Sequence, residues 1–205
     1  LKNQIKEAKV EFLNLLENNQ DNFSINYFLG KIMLSEKNYK SASEFAEKII
    51  KIYPDQLKSW LLLIDILSVE NKIDEAISLG KEALAKNSNK DALNYIVGKL
   101  YLDKKDNDKA IEYFNNSLSF NKNYISSKLG LGLAFINQGN YSKALTVTNE
   151  FLESDNNNIQ GINTLAFCYN KLNEYDKSLE YYKKSLKLNN SQASVYYSIG
   201  SILTI

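Results

Sequence analysis

The sequence contains no histidine and no arginine, so all 25 of its basic residues are lysines. Histidine is the usual general base and the commonest metal ligand. Arginine is the residue that reads phosphate, carboxylate and guanine through paired hydrogen bonds. With 24 acidic residues the net charge is only +1. These absences argue against a nucleic-acid partner and against histidine-based catalysis, and no catalytic, cofactor or metal site is predicted.

Cysteine and long apolar runs are also scarce. Cys168 is the single cysteine and has no partner for an internal disulfide. This leaves the compartment open, with the cytoplasm favoured over secretion. On a predicted helix, Cys168 is expected to be a small buried residue rather than a reactive thiol. No apolar run approaches the roughly 18 residues that indicate a membrane span, so direct membrane insertion is not expected.

Small residues recur in this sequence at a constant interval of 34 positions. The alanine series consists of Ala8, Ala42, Ala76, Ala110, Ala144 and Ser178. The glycine series, with the same interval, consists of Gly30, Ile64, Gly98, Gly132, Ala166 and Gly200. A fixed period of this length indicates one supersecondary unit stacked repeatedly.

Each repeat reads as two amphipathic helices joined by a short polar turn. In 23–56 the apolar periodicity predicts helices near 24–37 and 40–53, ended by Pro54, the only proline. The predicted organisation is a single array over 1–205 with half a repeat at each end. The full repeats are 23–56, 57–90, 91–124, 125–158 and 159–192, while 1–22 supplies a second helix and 193–205 a first helix.

The small residues predict where the two helices of a repeat approach each other. The glycine series lies on the first helices and the alanine series on the second helices, with large side chains filling the spaces around them. Ile64 takes a glycine position and is expected to push its helix outward. Dipeptides such as Lys37-Asn38 and Gly139-Asn140 predict the turns, since asparagine and glycine tolerate left-handed conformations.

The repeat 91–124, DALNYIVGKLYLDKKDNDKAIEYFNNSLSFNKNY, resembles a tetratricopeptide repeat, and so does 23–56. The signature of that family is a bulky residue, Leu-Gly, an aromatic, Ala, a second aromatic, a second Ala and a closing Pro. The resemblance covers nearly the whole chain and implies an all-α fold, a right-handed α-solenoid of helix-turn-helix repeats. The closing proline survives only as Pro54, which is the main departure from the signature.

The resemblance also implies that the first helices line a concave groove that binds peptides. Projection of the helix faces predicts a largely apolar set of groove residues. They are Tyr27, Lys31, Leu34, Leu61, Asp65, Tyr95, Lys99, Leu102, Leu129, Leu133, Ile136, Asn163, Phe167, Asn170 and Tyr197. Exposed apolar surface with aromatic anchors marks partner sites. The first hypothesis is therefore a non-catalytic scaffold that binds an extended or helical apolar segment of a protein partner.

Two other functions stay open at this point, as does the interpretation that the predicted groove residues only pack against neighbouring helices. One alternative is that the chain is the repeat region of a larger enzyme, such as a transferase, in which it recruits substrate. Alternatively, it would self-associate through uncapped ends, because the predicted helix around Tyr196 has an apolar face without a partner helix. Any single groove residue can also pack against a neighbouring helix and never meet a ligand.

Overall fold

The computed structural model describes residues 2–204, and this part of the chain consists of twelve α-helices without strands. Leu1 and Ile205, which belong to the first and last predicted helices, lie outside the described residues. The chain divides into two compact units, unit 1 (Leu1–Leu100) and unit 2 (Tyr101–Ile205). Unit 1 contains α1 (Lys2–Asn18), α2 (Phe23–Ser35), α3 (Tyr39–Ile52), α4 (Leu57–Val69), α5 (Ile73–Lys86) and most of α6 (Lys90–Asp103). Unit 2 contains the end of α6, then α7 (Asn107–Phe120), α8 (Ile125–Asn137), α9 (Tyr141–Leu152), α10 (Ile159–Lys171), α11 (Tyr175–Leu188) and α12 (Ala193–Leu203).

The helices follow the predicted repeat order, two to a repeat. The helices expected near 24–37 and 40–53 are α2 and α3, each displaced by no more than two residues at either end. Consecutive helices pack against each other from α1 to α5 in unit 1 and from α7 to α12 in unit 2. The first helices also touch within each unit, α2 against α4 and α8 against α10. The paired-helix architecture is therefore confirmed, while the single array over 1–205 stays a prediction.

The turn inside each full repeat has one geometry. Its closing residue is left-handed, with φ between 60° and 73°, at Lys37, Asn71, Lys105, Gly139 and Asn173. The N–H of the following residue donates to the carbonyl five residues earlier, as from Asn38 to Met33 at 2.9 Å. This is the Schellman closure of a helix. The predicted turn positions are confirmed at all five places.

The residue after each left-handed position also begins the second helix. The side chains of Asn38, Asp106 and Asn140 accept hydrogen bonds from the N–H three residues on, which satisfies one of the unpaired donors at a helix start. Lys72 and Glu174 occupy the same position and make no such bond. The side-chain cap of the second helix therefore varies from repeat to repeat, although the Schellman turn before it is the same in all five.

The small residues lie where paired helices meet. Five members of the alanine series, from Ala42 to Ser178, are fully buried. Between α10 and α11 the Ser178 hydroxyl donates to the Ala166 carbonyl at 2.7 Å. Between α2 and α3 a Cβ added to Gly30 would lie 3.6 Å from the Ala42 carbonyl oxygen. The predicted close approach of the two series is confirmed in these pairs.

Gly200 departs from the expectation for the glycine series, while the outward displacement expected at Ile64 stays a prediction. A Cβ on Gly200 would meet nothing within 4 Å, so Gly200 is not a point of close approach. Ile64 is 2% exposed, and its Cδ1 atom lies 3.9 Å from the place a Cβ would take on Gly80 of α5. Other repeats carry a side chain at the Gly80 position, namely Ala46, Phe114, Thr148 and Tyr182. The atom nearest to that added Cβ is Val97 Cγ2 of α6, at 2.7 Å, so the bare backbone of Gly80 accommodates Val97.

Candidate functional site

All fifteen predicted groove residues keep some exposure to solvent. Lys31, Asp65, Lys99 and Tyr197 are exposed, and the other eleven are half-buried. They lie on the first helices α2, α4, α6, α8, α10 and α12. Their accessibility is compatible with ligand binding, and their role in binding stays a prediction.

Four of these residues line one cleft of about 590 Å³ in unit 2, called here the unit 2 cleft. Leu133 and Ile136 come from α8, and Asn163 and Phe167 come from α10. The wall is completed by residues that the sequence analysis missed: Ile159, Gln160, Thr164, Tyr182, Ser194, Val195 and Ser198. None of these lining residues carries a formal charge at neutral pH. The cleft is therefore apolar with an edge of amide and hydroxyl groups, as ligand pockets commonly are.

Phe167 is held in the wall of the cleft by two neighbours. Its ring meets the Tyr141 ring edge-on, with centroids 6.2 Å apart, a favourable arrangement of aromatic quadrupoles. The Lys171 ammonium lies 5.4 Å from the centroid of the same ring, which adds a cation–π contact. These contacts fix the orientation of the largest apolar side chain that the sequence analysis placed at the site.

Asn163 is fixed through a network of amides. Its Nδ2 donates to Gln192 Oε1 at 2.8 Å, and Gln192 Nε2 donates to the Ser185 and Asn189 carbonyls at 3.1 and 2.8 Å. The network joins α10, α11 and the loop before α12. The Oδ1 atom of Asn163 is buried without a hydrogen-bond partner in the described residues. A buried acceptor left without a partner carries a desolvation cost.

Tyr182, which lines the cleft, and Cys168 are both buried side chains of unit 2. Tyr182 is 4% exposed, and burial raises the pKa of its hydroxyl, while a hydrogen bond with Ser198 opposes that rise. Cys168 is fully buried, and burial raises the pKa of its thiol to about 11. A thiol that stays protonated at neutral pH is a poor nucleophile. The prediction that Cys168 is a small core residue is confirmed.

The predicted groove residues of unit 1 are more polar. Lys31, Asp65 and Lys99 occupy the same repeat position on α2, α4 and α6. Partial burial raises the pKa of Asp65, and the positive charges of Lys31 and Lys99 oppose the rise. Tyr27 and Lys31 also line a cavity of about 550 Å³ between α1 and α2. Unit 1 therefore presents charge at the position where unit 2 presents Leu133 and Phe167.

The other predicted groove residues do not enter the unit 2 cleft. Leu129, Asn170 and Tyr197 belong to unit 2 but do not line the cleft. Leu34, Leu61, Tyr95 and Leu102 are half-buried on α2, α4 and α6. One sequence feature relates some of the missed lining residues to each other. Gln160 and Thr164 on α10 occupy the same repeat positions as Ser194 and Ser198 on α12.

Within the described residues, no group of three or more acidic or cysteine side chains is placed so that it could hold a metal ion. Over the same residues, every helix is too short or too polar to cross a bilayer.

Comparisons with known proteins agree with the helical architecture. Models described as "Tetratricopeptide repeat" match residues 23–56, 91–124 and 160–192. A comparison with curated proteins finds no match.

Solved structures resemble the chain at low sequence identity. The MamA protein is 19% identical with a TM-score of 0.68, covering 84% of this chain and 94% of that chain. YrrB, described as "a TPR protein with an unusual peptide-binding site", is 16% identical with a TM-score of 0.68, covering 91% and 96%. Yeast Tom70 is 19% identical with a TM-score of 0.78, covering 97% and 42%. The likeness confirms the expected fold class, an all-α solenoid of helical repeats.

Proposed function

Because the chain belongs to the tetratricopeptide repeat family, we propose that it is a non-catalytic scaffold that binds a peptide or helical segment of another protein along its first helices. The unit 2 cleft carries this proposal. Four residues chosen from the sequence as groove residues line the same uncharged cavity of about 590 Å³. A concave apolar site with a few fixed polar groups is the usual form of a binding site.

The lining of the cleft defines the kind of ligand that we propose. A charged side chain placed against Leu133, Ile136 and Phe167 would lose its hydration without gaining a partner. Aliphatic or aromatic side chains of the ligand are therefore expected to fill the cleft. The exposed amide of Gln160 at the edge of the cleft supports a role for a polar group of the ligand, such as a backbone N–H or C=O of an extended segment.

The charged positions of unit 1 are proposed to bind the polar part of a ligand. Lys31 and Lys99 flank Asp65 in sequence position, and each is exposed. The net charge of these three side chains is positive, so acidic groups of a ligand are favoured there. Tyr27 and Tyr95, four residues before the two lysines, are proposed to contribute aromatic contacts.

The proposal is tested by selecting binders from a phage-displayed library of random peptides on the wild-type chain. The selected peptides should contain aliphatic or aromatic anchors. Leu133→Gln should weaken their binding by about tenfold or more, because a central apolar contact is lost. Leu188→Gln is the matched control, since Leu188 is an exposed leucine of α11 outside the cleft. Equal affinity for both variants, or a selection without enrichment, would contradict the proposal.

A second candidate function is self-association, supported by exposed apolar side chains on two helices. Val10 and Leu15 on α1 are 58% and 51% exposed, and Tyr197 and Leu203 on α12 are 80% and 69% exposed. Apolar surface of this kind favours association. Sedimentation velocity over a wide range of protein concentration tests it, and a constant monomeric coefficient would exclude it.

A further inference from the structure

A second concave surface lies in unit 1, on the side of α4 that faces away from its predicted groove residues. Leu61 and Asp65 lie on one face of α4, whereas Leu63 and Leu67 lie on the opposite face, two residues or about 200° around the helix. Together with α3 and α5, Leu63 and Leu67 line a cavity of about 680 Å³. We call this cavity the acidic groove, and all of its lining residues belong to unit 1.

The rim of the acidic groove is rich in carboxylates. It carries Glu44, Glu47, Glu70, Glu75 and Glu82. Two lysines line the groove as well, so five carboxylates against two ammonium groups leave a formal charge of −3. Glu70 pairs with Lys72 at 3.3 Å and Glu82 pairs with Lys86 at 2.6 Å. The other three glutamates have no ion-pair partner within the described residues.

Other repeats place a lysine at the position that Glu75 occupies. These lysines are Lys109, Lys143 and Lys177, and their ammonium groups lie 5.2, 5.5 and 5.2 Å from the ring centroids of Tyr101, Phe135 and Tyr169. In the repeat formed by α4 and α5 the ring position is Leu67 and the lysine position is Glu75. This repeat therefore lacks the cation that those three repeats carry at the corresponding position, and it has a carboxylate there instead, whereas the repeat 23–56 has Ser41.

We propose that the acidic groove binds a lysine-rich amphipathic helix of a partner protein. The ammonium groups of that helix take the place that Lys109, Lys143 and Lys177 hold in those three repeats. They pair with Glu44, Glu47 and Glu75, which have no ion pair of their own. The apolar face of the partner helix contacts Leu67 and Leu79, which line the same cavity.

The energetics favour a helix that combines charge with apolar contact. One exposed ion pair contributes little, and complementary charge mainly speeds association and selects the partner. Apolar burial along Leu67 and Leu79 supplies the remaining affinity. This surface is distinct from the unit 2 cleft, so the two sites take ligands of different chemistry.

The test uses a labelled synthetic helix with leucines on one face flanked by lysines, and a counterpart in which every lysine is glutamate. Fluorescence polarisation should show binding of the lysine peptide, weakened by added salt, and no binding of the glutamate peptide. The triple change Glu44→Gln, Glu47→Gln and Glu75→Gln should weaken binding by roughly tenfold or more. Glu75→Lys should fold normally, because three repeats have lysine there, and should also lose binding.

A matched control separates the groove from the overall charge of the chain. Glu112→Gln, Glu150→Gln and Glu180→Gln together make the same charge change at exposed positions of α7, α9 and α11. This control and Leu133→Gln should both bind the lysine peptide as the wild type does. Equal weakening by the two triple variants would overturn the proposal. Self-association of the wild type that the groove variant abolishes would also overturn it, because the occupant would then be a second copy.

Discussion

At the scale of single residues, glycine serves different purposes at different positions of this chain. Gly139 supplies a left-handed turn with φ of 73°. Gly130 lies against a large side chain, since an added Cβ would be 2.6 Å from Phe114 Cζ. Gly200 has neither role, because nothing lies within 4 Å of the same added atom. The same substitution is therefore expected to have opposite effects at two helical glycines.

Gly130→Ala should lower the free energy of unfolding by about 1–3 kcal/mol, because the new methyl group overpacks the Phe114 ring. Gly200→Ala should leave it unchanged or raise it by up to about 1 kcal/mol, since alanine favours a helix over glycine. Urea denaturation followed by circular dichroism measures both. A Gly130→Ala protein as stable as Gly200→Ala would show that α8 and Phe114 are not closely packed.

The Cys168 thiol makes the stability of the native state depend on pH. Its pKa is raised to about 11 by burial, from an ordinary value of 9.0. Between these pH values the native thiol keeps a proton that the unfolded thiol has released. Raising the pH therefore stabilises the unfolded state relative to the native state. The protonated thiol therefore makes its full contribution to the free energy of unfolding below pH 9.0, and this contribution is lost progressively above that pH.

The stability difference between the wild type and Cys168→Ala should therefore change across that pH window, with the wild type losing more. Thermal melts of the two proteins at matched pH values measure the difference. Tyrosines and lysines also titrate in this range, but both proteins contain them, so their effect on stability cancels in the difference. A difference independent of pH would mean that the thiol ionises equally in the folded and unfolded chains.

At the scale of helices, the start of each second helix is the variable part of the repeat. Asn38 caps α3 through a hydrogen bond from Ser41 N–H at 3.3 Å. Lys72, one repeat later, begins α5 without a side-chain bond. A lysine also places positive charge at the positive end of the helix dipole. The α5 start is therefore less stabilised than the α3 start.

Lys72→Asp should raise the free energy of unfolding by about 1 kcal/mol, since it adds a cap and a favourable charge. Asn38→Ala should lower it by about the same amount. Chemical denaturation of the two variants shows whether the free energy of unfolding rises for Lys72→Asp and falls for Asn38→Ala. A destabilised Lys72→Asp protein would show that the Lys72–Glu70 pair, at 3.3 Å, matters more than the cap.

Sequence reasoning was strongest for features within one repeat. The interval of 34 located the buried small residues and the left-handed turns, because each depends on local backbone geometry. It was weaker where two helices must be considered together. The close approach of Val97 on α6 to the bare backbone of Gly80 on α5, 2.7 Å from an added Cβ, depends on both helices jointly. Similarly, Glu44 and Glu75 look like solvated residues until α3 and α5 place them on one rim.

The candidate site was predicted only in part for the same reason. The projection of helix faces found Leu133, Ile136, Asn163 and Phe167, which lie on the first helices α8 and α10. It missed Ser194, Val195 and Ser198 because α12 joins the cleft through its packing beside α10. The shared repeat positions of Gln160 with Ser194 and of Thr164 with Ser198 mark equivalent residues, but they do not show that α10 and α12 line one cavity.

At the scale of the whole molecule, each unit has its own candidate binding surface. Unit 2 has an uncharged cleft between first helices, and unit 1 has an acidic groove beside its second helices. A family that builds only short helix pairs varies its partners through side chains on a constant backbone. Separate chemistry in the two units fits a scaffold that holds more than one segment.

The most direct test of the account is photocrosslinking from defined positions with a peptide selected on the wild-type chain. A photoreactive phenylalanine derivative replaces Leu133 in the unit 2 cleft, or Glu180, which is exposed on α11 outside the cleft. If the unit 2 cleft binds the peptide, crosslinked peptide will form from position 133 and none will form from position 180. Crosslinking from position 180 alone would place the binding surface away from the first helices and contradict the proposed function.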